Sequence, residues 1–289
     1  MSSSTPLSLV VLVTGSTDGI GRETARQLVS RGAQVVVHGR DGVKVQAVSA
    51  ELAALCGRAQ PQGVVFDLAD FAAIRRGAAQ LVEQLPRLDR VIHNAGVFST
   101  AGPAAAAAQA RGATGQVDPL ERSWQVNHLA PLLLTHELLP LLLRSAPARV
   151  VVVASVAHNR GQIHWDHLQQ QTGYAAYAQS KLANVMFARA LAQRFDAAQL
   201  SAFSLHPGVV GTKLLREGFG MDGPDSLQEG AATSVYCALA PGLEALSGQY
   251  FARSQPAQPA PQAGRADDIE RLWRLSCQQV GVPVEWGVA

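Results

Sequence analysis

A tyrosine and a lysine stand four positions apart in the segment Tyr177-Ala178-Gln179-Ser180-Lys181. A spacing of four places both side chains on the same face of a helix. An ammonium group close to a phenol favours the phenolate and lowers the phenol pKa from its usual value of about 10. The pair is therefore a candidate acid–base couple for proton transfer to or from a bound substrate. The alternative is an unrelated pair of surface side chains.

Two further polar residues precede this pair and could complete a reaction site. Ser155 follows a valine-rich segment, and its hydroxyl could polarise a substrate carbonyl. Asn127 could hold a water molecule that links the lysine amine to solvent. Each residue also has an ordinary structural explanation, because Ser155 could be a turn hydroxyl and Asn127 a buried amide with satisfied hydrogen bonds.

A glycine-rich turn near the N-terminus predicts a site for a phosphate-containing cofactor. Residues 14–21 follow the first apolar segment and lead directly into an amphipathic one. Glycines allow a tight turn that brings backbone N–H groups close to a pyrophosphate, and the helix dipole favours the anion. The spacing is Gly-x3-Gly-x-Gly, which differs from the fingerprint of longer dehydrogenases, and a purely structural turn is the alternative. The candidate residues in this turn are Gly15, Ser16, Thr17, Gly19, Ile20 and Gly21.

The end of the second predicted strand indicates which dinucleotide this site prefers. A site selective for NAD usually places Asp or Glu there, against the ribose 2′-hydroxyl, but no acid precedes Arg40 in this segment. Arg40, together with Arg22 in the first helix, would bind a 2′-phosphate through charge-assisted hydrogen bonds. We therefore expect NADP(H). NAD(H), bound through Asp41, is the alternative if both arginines are only solvated surface residues.

The third and fourth predicted strands end in residues that suit the same cofactor. Asp67, followed by Leu68, could accept a hydrogen bond from an adenine amino group. In Asn94-Ala95-Gly96, the two small residues would let the backbone pass close to the cofactor. The Asn94 amide could tie neighbouring strands together. Ordinary turns at strand ends are the alternative for both segments.

Valine-rich segments alternate along the chain with segments of helical periodicity. This alternation predicts an α/β fold: a single Rossmann domain over residues 1–289, with a doubly wound parallel sheet of about seven strands and helices on both faces. Such a sheet gathers the strand ends, and the candidate residues that follow them, at one edge. The predicted strands cover residues 9–13, 35–37, 64–66, 91–92, 150–153, 202–205 and 249–251, and the strongest late helix covers residues 174–195.

The composition excludes several classes of function. The chain has 289 residues, 24 basic and 22 acidic, so its net charge of +2 offers no attraction to nucleic acid or to an anionic membrane. A small molecule is the expected partner. Cys56, Cys237 and Cys277 lie far apart, which argues against a disulfide framework or a zinc site and favours a reducing cytoplasm. The histidines show no spacing typical of metal ligands, and we expect no metal.

We expect no export signal and no integral membrane segment. The first nine residues contain no Lys or Arg and no cleavage site of a signal peptide. The most apolar segment, residues 129–143, is shorter than the roughly 20 residues that span a bilayer. It is also interrupted by polar residues and prolines, which favours a buried helix.

Three segments depart from the regular alternation. Residues 101–117 are rich in Ala, Gly, Gln and Thr, and residues 254–265 alternate Pro with Ala and Gln. Both predict flexible surface loops, or in the minority interpretation a flap over the site. Residues 213–229 combine apolar side chains with glycines and predict a mobile lid with an apolar lining, which favours lipophilic ketones, aldehydes or alcohols. An ordinary surface helix is the alternative.

The order of these motifs resembles that of the short-chain dehydrogenase/reductase family over nearly the whole chain. By that resemblance Asn127, Ser155, Tyr177 and Lys181 form a catalytic tetrad. The segment 207–212 would contact the nicotinamide, with Thr212 at its carboxamide. The residues that this segment contributes to the cofactor site are Pro207, Gly208, Val209 and Thr212.

Finer motifs are similar to those of the branch with retinol dehydrogenases, WW-domain oxidoreductases and protochlorophyllide reductases. They lie in residues 155–158, 180–185, 206–210, 246–251 and 272–277. His93 departs from the family, which more often has Asn there, and residues 101–116 are an unusual expansion. Because family members pair the helices that correspond to residues 129–143 and 174–195 across subunits, the resemblance also implies a homo-oligomer.

Together these features predict an NADP(H)-dependent oxidoreductase that transfers hydride between nicotinamide and a carbonyl or alcohol carbon. Tyr177 would transfer the proton, Lys181 would bind the nicotinamide ribose, and Ser155 would hydrogen-bond the carbonyl oxygen. Two alternatives stay open. The chain could reduce a conjugated C=C bond, or it could bind NADP(H) as a sensor without turnover.

Overall fold

The computed structural model describes residues 9–57, 62–99 and 120–286. The predicted loop at residues 101–117 lies outside the described residues. The strands are β1 (Val10–Val13), β2 (Gln34–Gly39), β3 (Gly63–Val65), β4 (Arg90–His93), β5 (Ala148–Val153), β6 (Leu200–His206), β7 (Tyr250–Ala252) and β8 (Gln255–Ala257). The helices are α1 (Gly19–Ser30), α2 (Gly42–Cys56), α3 (Phe71–Gln84), α4 (Arg122–Arg144), α5 (Gly173–Arg194), α6 (Lys213–Phe219), α7 (Leu227–Leu239) and α8 (Ala266–Val280).

The strands form one sheet in the order β3-β2-β1-β4-β5-β6-β7-β8. All neighbouring pairs are parallel except β7 and β8, which are antiparallel. The strand order reverses between β1 and β4, and in such sheets the ligand crevice lies outside the carboxyl ends at the reversal. The predicted α/β fold is confirmed, and the predicted count of about seven strands is corrected to eight within the described part of the chain.

Helices cover both faces of this sheet, and the central strand β5 shows how. Val150 and Val152 pack in one apolar core with residues of α3, α4, α5 and α8. Val151 and Val153 pack in the opposite core with residues of α1, α2 and α7. Because both faces of β5 are covered, its residues Val150–Val153 are four consecutive valines and do not alternate with polar residues.

The segment predicted as a flexible loop at residues 254–265 is ordered, which corrects that prediction. It contains β8 and a short 3-10 helix at Pro261–Gly264. Ala260 and Ala263 are buried, so small side chains suffice to pack this segment on its neighbours. Pro256 lies on an edge strand, where a missing N–H is tolerated. Proline content therefore indicated the sheet edge and not disorder.

Helix α4 is the one described helix whose length and composition would allow it to cross a membrane, yet 78% of its apolar window is buried inside the protein. Helix α8 covers α4 and α5 within the same chain. The Trp273 ring stacks on Phe187 with 6.3 Å between centroids, and His128 Nε2 lies 2.8 Å from Ser276 Oγ. These are the helices on which the expectation of a homo-oligomer depends, and that expectation stays a prediction.

Candidate active site

The glycine-rich turn lies flat against the ends of β1 and β4. Gly15 and Gly19 have φ angles of 64° and 52°, in the left-handed region that favours glycine. A Cβ atom at Gly21 would lie 2.3 Å from both the Asn94 amide nitrogen and the Gly15 carbonyl oxygen. The side chain of Asp18 caps α1 by accepting from the Gly19 N–H. The turn therefore admits no side chain at Gly21.

The end of β2 fixes the other side of this turn. The Gly15 N–H donates to His38 Nδ1 over 3.1 Å, and the Ser16 N–H donates to the His38 carbonyl over 3.0 Å. Burial lowers the pKa of His38 to about 4, so its ring is neutral and can act as an acceptor. The methyl group of Thr17 would contact a Cβ at Gly39 at 2.7 Å. The turn is therefore attached to the strand that precedes Arg40.

Asn94 ties β4 to β1, as its sequence position predicts. Its amide nitrogen donates to the Thr14 carbonyl over 2.9 Å, and its backbone N–H donates to the Thr14 hydroxyl over 3.0 Å. Ala95 follows at contact distance, since a Cβ at Gly15 would lie 3.0 Å from it. These bonds set the position of the turn relative to the sheet edge.

The charged residues at this edge differ in their surroundings. Arg40 is exposed and forms no ion pair with any residue that the structure describes. Arg22 is also exposed, but its Nε donates to Glu51 over 2.9 Å. Asp67 is half-buried and accepts from the Ala69 N–H over 2.9 Å. Only Arg40 of the two arginines is therefore available to an anion without first breaking an ion pair.

These groups fit a dinucleotide. The first-turn amides of a helix, here at Ile20 and Gly21, have no intrahelical acceptors and can bind phosphate oxygens. Gly19 presents no side chain, and the methyl group of Thr212 lies 3.6 Å from where its Cβ would be. The glycine-rich turn and the segment after β6 thus face each other at the same edge of the sheet. Leu68 is buried directly after Asp67.

Tyr177 and Lys181 lie on one face of α5, and both are buried at 6% and 3% exposure. The Lys181 ammonium donates to the Val153 carbonyl over 2.9 Å and lies 5.6 Å from the centroid of the Tyr177 ring. Burial lowers the pKa of Lys181 to about 8. A Cβ at Gly96 would lie 3.3 Å from the ammonium, which explains the small residue after β4.

The expected lowering of the Tyr177 pKa is wrong for the chain itself. Burial raises the pKa to about 12, and a hydrogen bond with the Ser155 hydroxyl offsets only part of that shift. Desolvation penalises a buried phenolate more than the neighbouring groups favour it. At neutral pH the phenol is therefore protonated and can act as a proton donor.

Ser155 and Asn127 occupy the two ends of this constellation. Ser155 caps a 3-10 helix at Val156–Arg160, and its hydroxyl accepts from the Ala157 N–H over 3.2 Å. Asn127 lies in a π-helical turn of α4, a feature that is frequent at functional sites. Its oxygen accepts from the Val97 N–H over 2.7 Å, and its nitrogen donates to the Val97 carbonyl over 2.9 Å.

The Asn127 side chain is therefore largely engaged by the protein. Its nitrogen also donates to Ser180 Oγ over 3.0 Å, and that hydroxyl donates to the Tyr177 carbonyl. Both donors and one acceptor position are used, so the amide positions the Val97 segment and α5. The water-holding role expected for this side chain has one lone pair left to support it.

Aromatic rings cover the Tyr177 side chain. The ring centroids of Phe98 and Phe219 lie 5.7 and 5.3 Å from it, and 4.5 Å from each other. Phe219 belongs to α6, which has no fully buried residue and so lies on the surface. The predicted lid at residues 213–229 corresponds to α6 and the turn after it, because α7 begins at Leu227 with its own cap.

The segment after β6 connects the sheet edge to α6. Gly208 has a φ of 104°, and the Val209 N–H donates to Asp225 Oδ2 over 2.6 Å. Pro207 is half-buried at the start of the segment. The Thr212 hydroxyl caps α6 by accepting from the Leu215 N–H over 3.3 Å. Thr212 is thus a helix cap in this structure, whereas its contact with a carboxamide stays a prediction.

The profile of the short chain dehydrogenase family matches residues 9–221. The chain belongs to the short-chain dehydrogenase family. It is 40% identical over 284 residues to retinol dehydrogenase 12 of Bos taurus, covering 94% of this chain and 86% of that protein. It is 39% identical over 288 residues to retinol dehydrogenase 11 of Mus musculus, with 96% and 88% covered.

Solved structures share this fold. A Mycobacterium paratuberculosis protein superposes with a TM-score of 0.74 at 28% identity, covering 97% of this chain and 95% of that one. A short chain dehydrogenase from Escherichia coli CFT073, complexed with NADPH, gives a TM-score of 0.69 at 27% identity, with 86% and 97% covered.

As a short-chain dehydrogenase, the chain is an oxidoreductase that acts on an alcohol or carbonyl and binds a nicotinamide dinucleotide. The structure brings all four residues of the predicted tetrad to one edge of the sheet, through the contacts with Val97, Val153 and Ser180 described above. Sequence reasoning missed Phe98, because a lone aromatic residue after a strand-end motif has no characteristic spacing.

Proposed function

We propose that this short-chain dehydrogenase interconverts a lipophilic carbonyl compound and its alcohol with NADP(H). The observation that carries the proposal is the buried Tyr177–Lys181 pair beneath an apolar cover. A buried acid–base pair next to apolar rings suits a substrate whose one polar atom meets the phenol while its body contacts the rings. The similar proteins are named retinol dehydrogenases, and retinol is a lipophilic alcohol.

In the reductive direction the protein's own residues handle the proton and the oxygen. Tyr177 donates its proton to the substrate oxygen, and Ser155 hydrogen-bonds the same oxygen and stabilises its developing negative charge. Lys181 lies one helical turn from the phenol and favours the phenolate that remains. A bound dinucleotide supplies the hydride. Asn127 holds the Val97 segment and α5 in place, so that these groups meet at one point.

We infer a preference for NADP(H) from the charge at the end of β2. Arg40 is exposed and without an ion-pair partner among the described residues, whereas Arg22 is already bound to Glu51. A guanidinium can bind a 2′-phosphate through paired hydrogen bonds, and no acid precedes Arg40 to favour a 2′-hydroxyl. NADP-complexed family members are consistent with this preference.

We also propose that the protein acts in a reducing cytoplasm as a protein without an integral membrane segment. All three cysteines are free thiols, two of them buried. The apolar helix α4 lies mostly inside the fold, where it contributes to the core beside β5. Cell fractionation with an antibody to the chain tests this location.

The reaction is tested by incubating the protein with a panel of lipophilic ketones, aldehydes and alcohols, with NADPH and NADH in parallel. We expect turnover with NADPH, and we expect Tyr177→Phe to lower kcat by about 1,000-fold without weakening NADPH binding. Tyr174→Phe is the matched control, because Tyr174 is 40% exposed and has Ala178 in place of a lysine one turn on. It should keep kcat within about threefold.

Three results would contradict the proposal. Turnover by Tyr177→Phe at the parent rate would remove the phenol from the reaction. Products reduced at a C=C bond, or cofactor binding with no turnover across the whole panel, would replace carbonyl chemistry with one of the alternatives.

A further inference from the structure

The peptide group that joins Ser155 to Val156 is held by two histidines. His158 Nδ1 lies 2.6 Å from the Ser155 carbonyl oxygen, at one end of this peptide group. At the other end, the Val156 N–H donates to His206 Nδ1 over 3.2 Å. The two histidines are 48 residues apart in the sequence: His158 follows β5, and His206 is the last residue of β6. One peptide plane is therefore attached at both ends to side chains on different elements.

The second nitrogen of His158 fixes the tautomer of its ring. The Ala260 N–H points at His158 Nε2 over 3.1 Å, and a backbone N–H can only donate. Nε2 must therefore be the acceptor, which places the ring proton on Nδ1, where it is donated to the Ser155 carbonyl. Burial lowers the pKa of His158, which favours the neutral ring that this arrangement of hydrogen bonds requires.

The support for His158 comes from the far end of the chain. Ala260 lies between β8 and the 3-10 helix Pro261–Gly264, and it is separated from His158 by 102 residues. The Tyr250 ring of β7 packs against the His158 ring at 4.6 Å. His158 itself is fully buried, so neither substrate nor solvent reaches it. The Pro- and Ala-rich segment at residues 255–264 thus braces the turn that carries Ser155.

We propose that His158 is a positioning residue that, with His206, fixes the Ser155–Val156 peptide and thereby aims the Ser155 hydroxyl at the substrate oxygen. The inference rests on the proposed function, since it assigns Ser155 to the substrate oxygen. Rotation of this peptide would move the Ala157 N–H, which is the donor that holds the Ser155 hydroxyl. A small change in direction at a hydrogen-bonding group is enough to slow catalysis.

Two amide substitutions separate the hydrogen bonds of His158. In His158→Asn, the amide nitrogen can take the position of Nδ1 and keep the bond to the Ser155 carbonyl, whereas the Ala260 N–H loses its acceptor. In His158→Gln, the amide oxygen can reach the Ala260 N–H, whereas the Ser155 carbonyl loses its donor. Each variant leaves one buried group unsatisfied, so both should lower the melting temperature.

The expected result is a split between activity and stability. We expect His158→Gln to lower kcat by about 10-fold to 100-fold, and His158→Asn to stay within about threefold of the parent. The NADPH dissociation constant should be unchanged in both, because His158 is on the substrate side. The control is His167→Gln, at an exposed histidine, which should change neither kcat nor the NADPH dissociation constant. Equal kcat losses in both variants, or parent activity in His158→Gln, would overturn the proposal.

A measurement on the parent protein removes any dependence on variant folding. With ¹⁵N-labelled histidine, the ring nitrogens of His158 should show the neutral tautomer with the proton on Nδ1 between pH 6 and 8. A proton on Nε2, or a ring that titrates in this range, contradicts the proposed hydrogen bonds of His158 to the Ser155 carbonyl and the Ala260 N–H. This readout needs no substrate. If the carbonyl panel gives no turnover, the proposed function fails, while the tautomer still shows whether His158 holds the Ser155–Val156 peptide.

Discussion

The cofactor side and the substrate side of this site are built in different ways. On the cofactor side, the glycine turn, His38 and Asn94 come from the ends of β1, β2 and β4 within the first 94 residues, and their contacts are mostly backbone to backbone or backbone to side chain. On the substrate side, Phe98, Ser155 and Phe219 come from distant segments, and Ala260 braces the serine turn across 102 residues.

The two sides should therefore differ in how they respond to amino-acid substitutions. On the cofactor side, a Cβ at Gly21 would lie 2.3 Å from the Asn94 amide nitrogen and the Gly15 carbonyl oxygen, so the turn cannot accept even a methyl group there without moving. Aromatic rings at 4.5 to 5.7 Å from one another can repack when one of them changes. We therefore expect sharp losses from small changes on the cofactor side, and graded losses from larger changes on the substrate side.

The largest expected effect comes from adding one methyl group at the cofactor turn. In Gly21→Ala, the new Cβ would overlap the Asn94 amide nitrogen and the Gly15 carbonyl oxygen, so the turn must shift away from β4. We expect the NADPH dissociation constant, measured by calorimetry, to rise about 100-fold, which corresponds to ~2.7 kcal/mol.

The matched control is Gly42→Ala at the start of α2. A Cβ there would lie 3.8 Å from Val65, an ordinary contact, so NADPH binding should stay within about twofold of the parent. If Gly21→Ala bound NADPH as well as Gly42→Ala does, the rigidity assigned to the cofactor side would be wrong.

A smaller effect on the same side should come from charge. In Arg40→Ala, we expect the KM for NADPH to rise about 20-fold and the KM for NADH to change little, because a charged hydrogen bond to the 2′-phosphate is lost. Steady-state kinetics with both cofactors measures this directly. Arg22→Ala should change the NADPH value less than about threefold, since Glu51 already binds that arginine. Equal increases for NADPH and NADH would rule out Arg40 as the residue that selects the phosphate.

The contrast between local contacts and contacts of distant segments also explains how much of the molecule was predictable from its sequence. The seven parallel strands and the helix at residues 174–195 were predictable, because buried parallel strands are continuously apolar and a long helix repeats its apolar face. The tie made by Asn94 was also predictable, since it depends on residues next to known strand ends. Local sequence controls these features.

The rest depended on contacts between distant segments. The edge strand β8 was missed because its sequence, Gln255–Ala257, contains a proline and lacks the usual β-branched residues. The Tyr177 pKa was predicted with the wrong sign, because the depth of burial is set by residues such as Phe98 and Phe219 on other elements. The roles of Val97 and Ala260 as hydrogen-bonding partners have no signal in the sequence at all.

The smallest expected effect tests the substrate side. In Phe219→Ala, α6 loses the ring that packs on Tyr177 and Phe98, so the proposed apolar substrate would lose part of its contact surface. We expect the KM for lipophilic carbonyls to rise about fivefold, or ~1 kcal/mol, with NADPH binding unchanged. The control is Met221→Ala, at a side chain that is 56% exposed in the turn after the same helix.

The size of this change distinguishes a lid from an ordinary surface helix. Helix α6 has no fully buried residue, so removing Phe219 costs the core little beyond its packing on Phe98 and Tyr177. If α6 were an ordinary surface helix, Phe219→Ala and Met221→Ala would leave the substrate KM equally unchanged. A rise confined to Phe219→Ala that grows with the apolar length of the substrate means that the ring contacts the substrate body. The graded response expected of the substrate side would then contrast with the abrupt loss from one methyl group at Gly21.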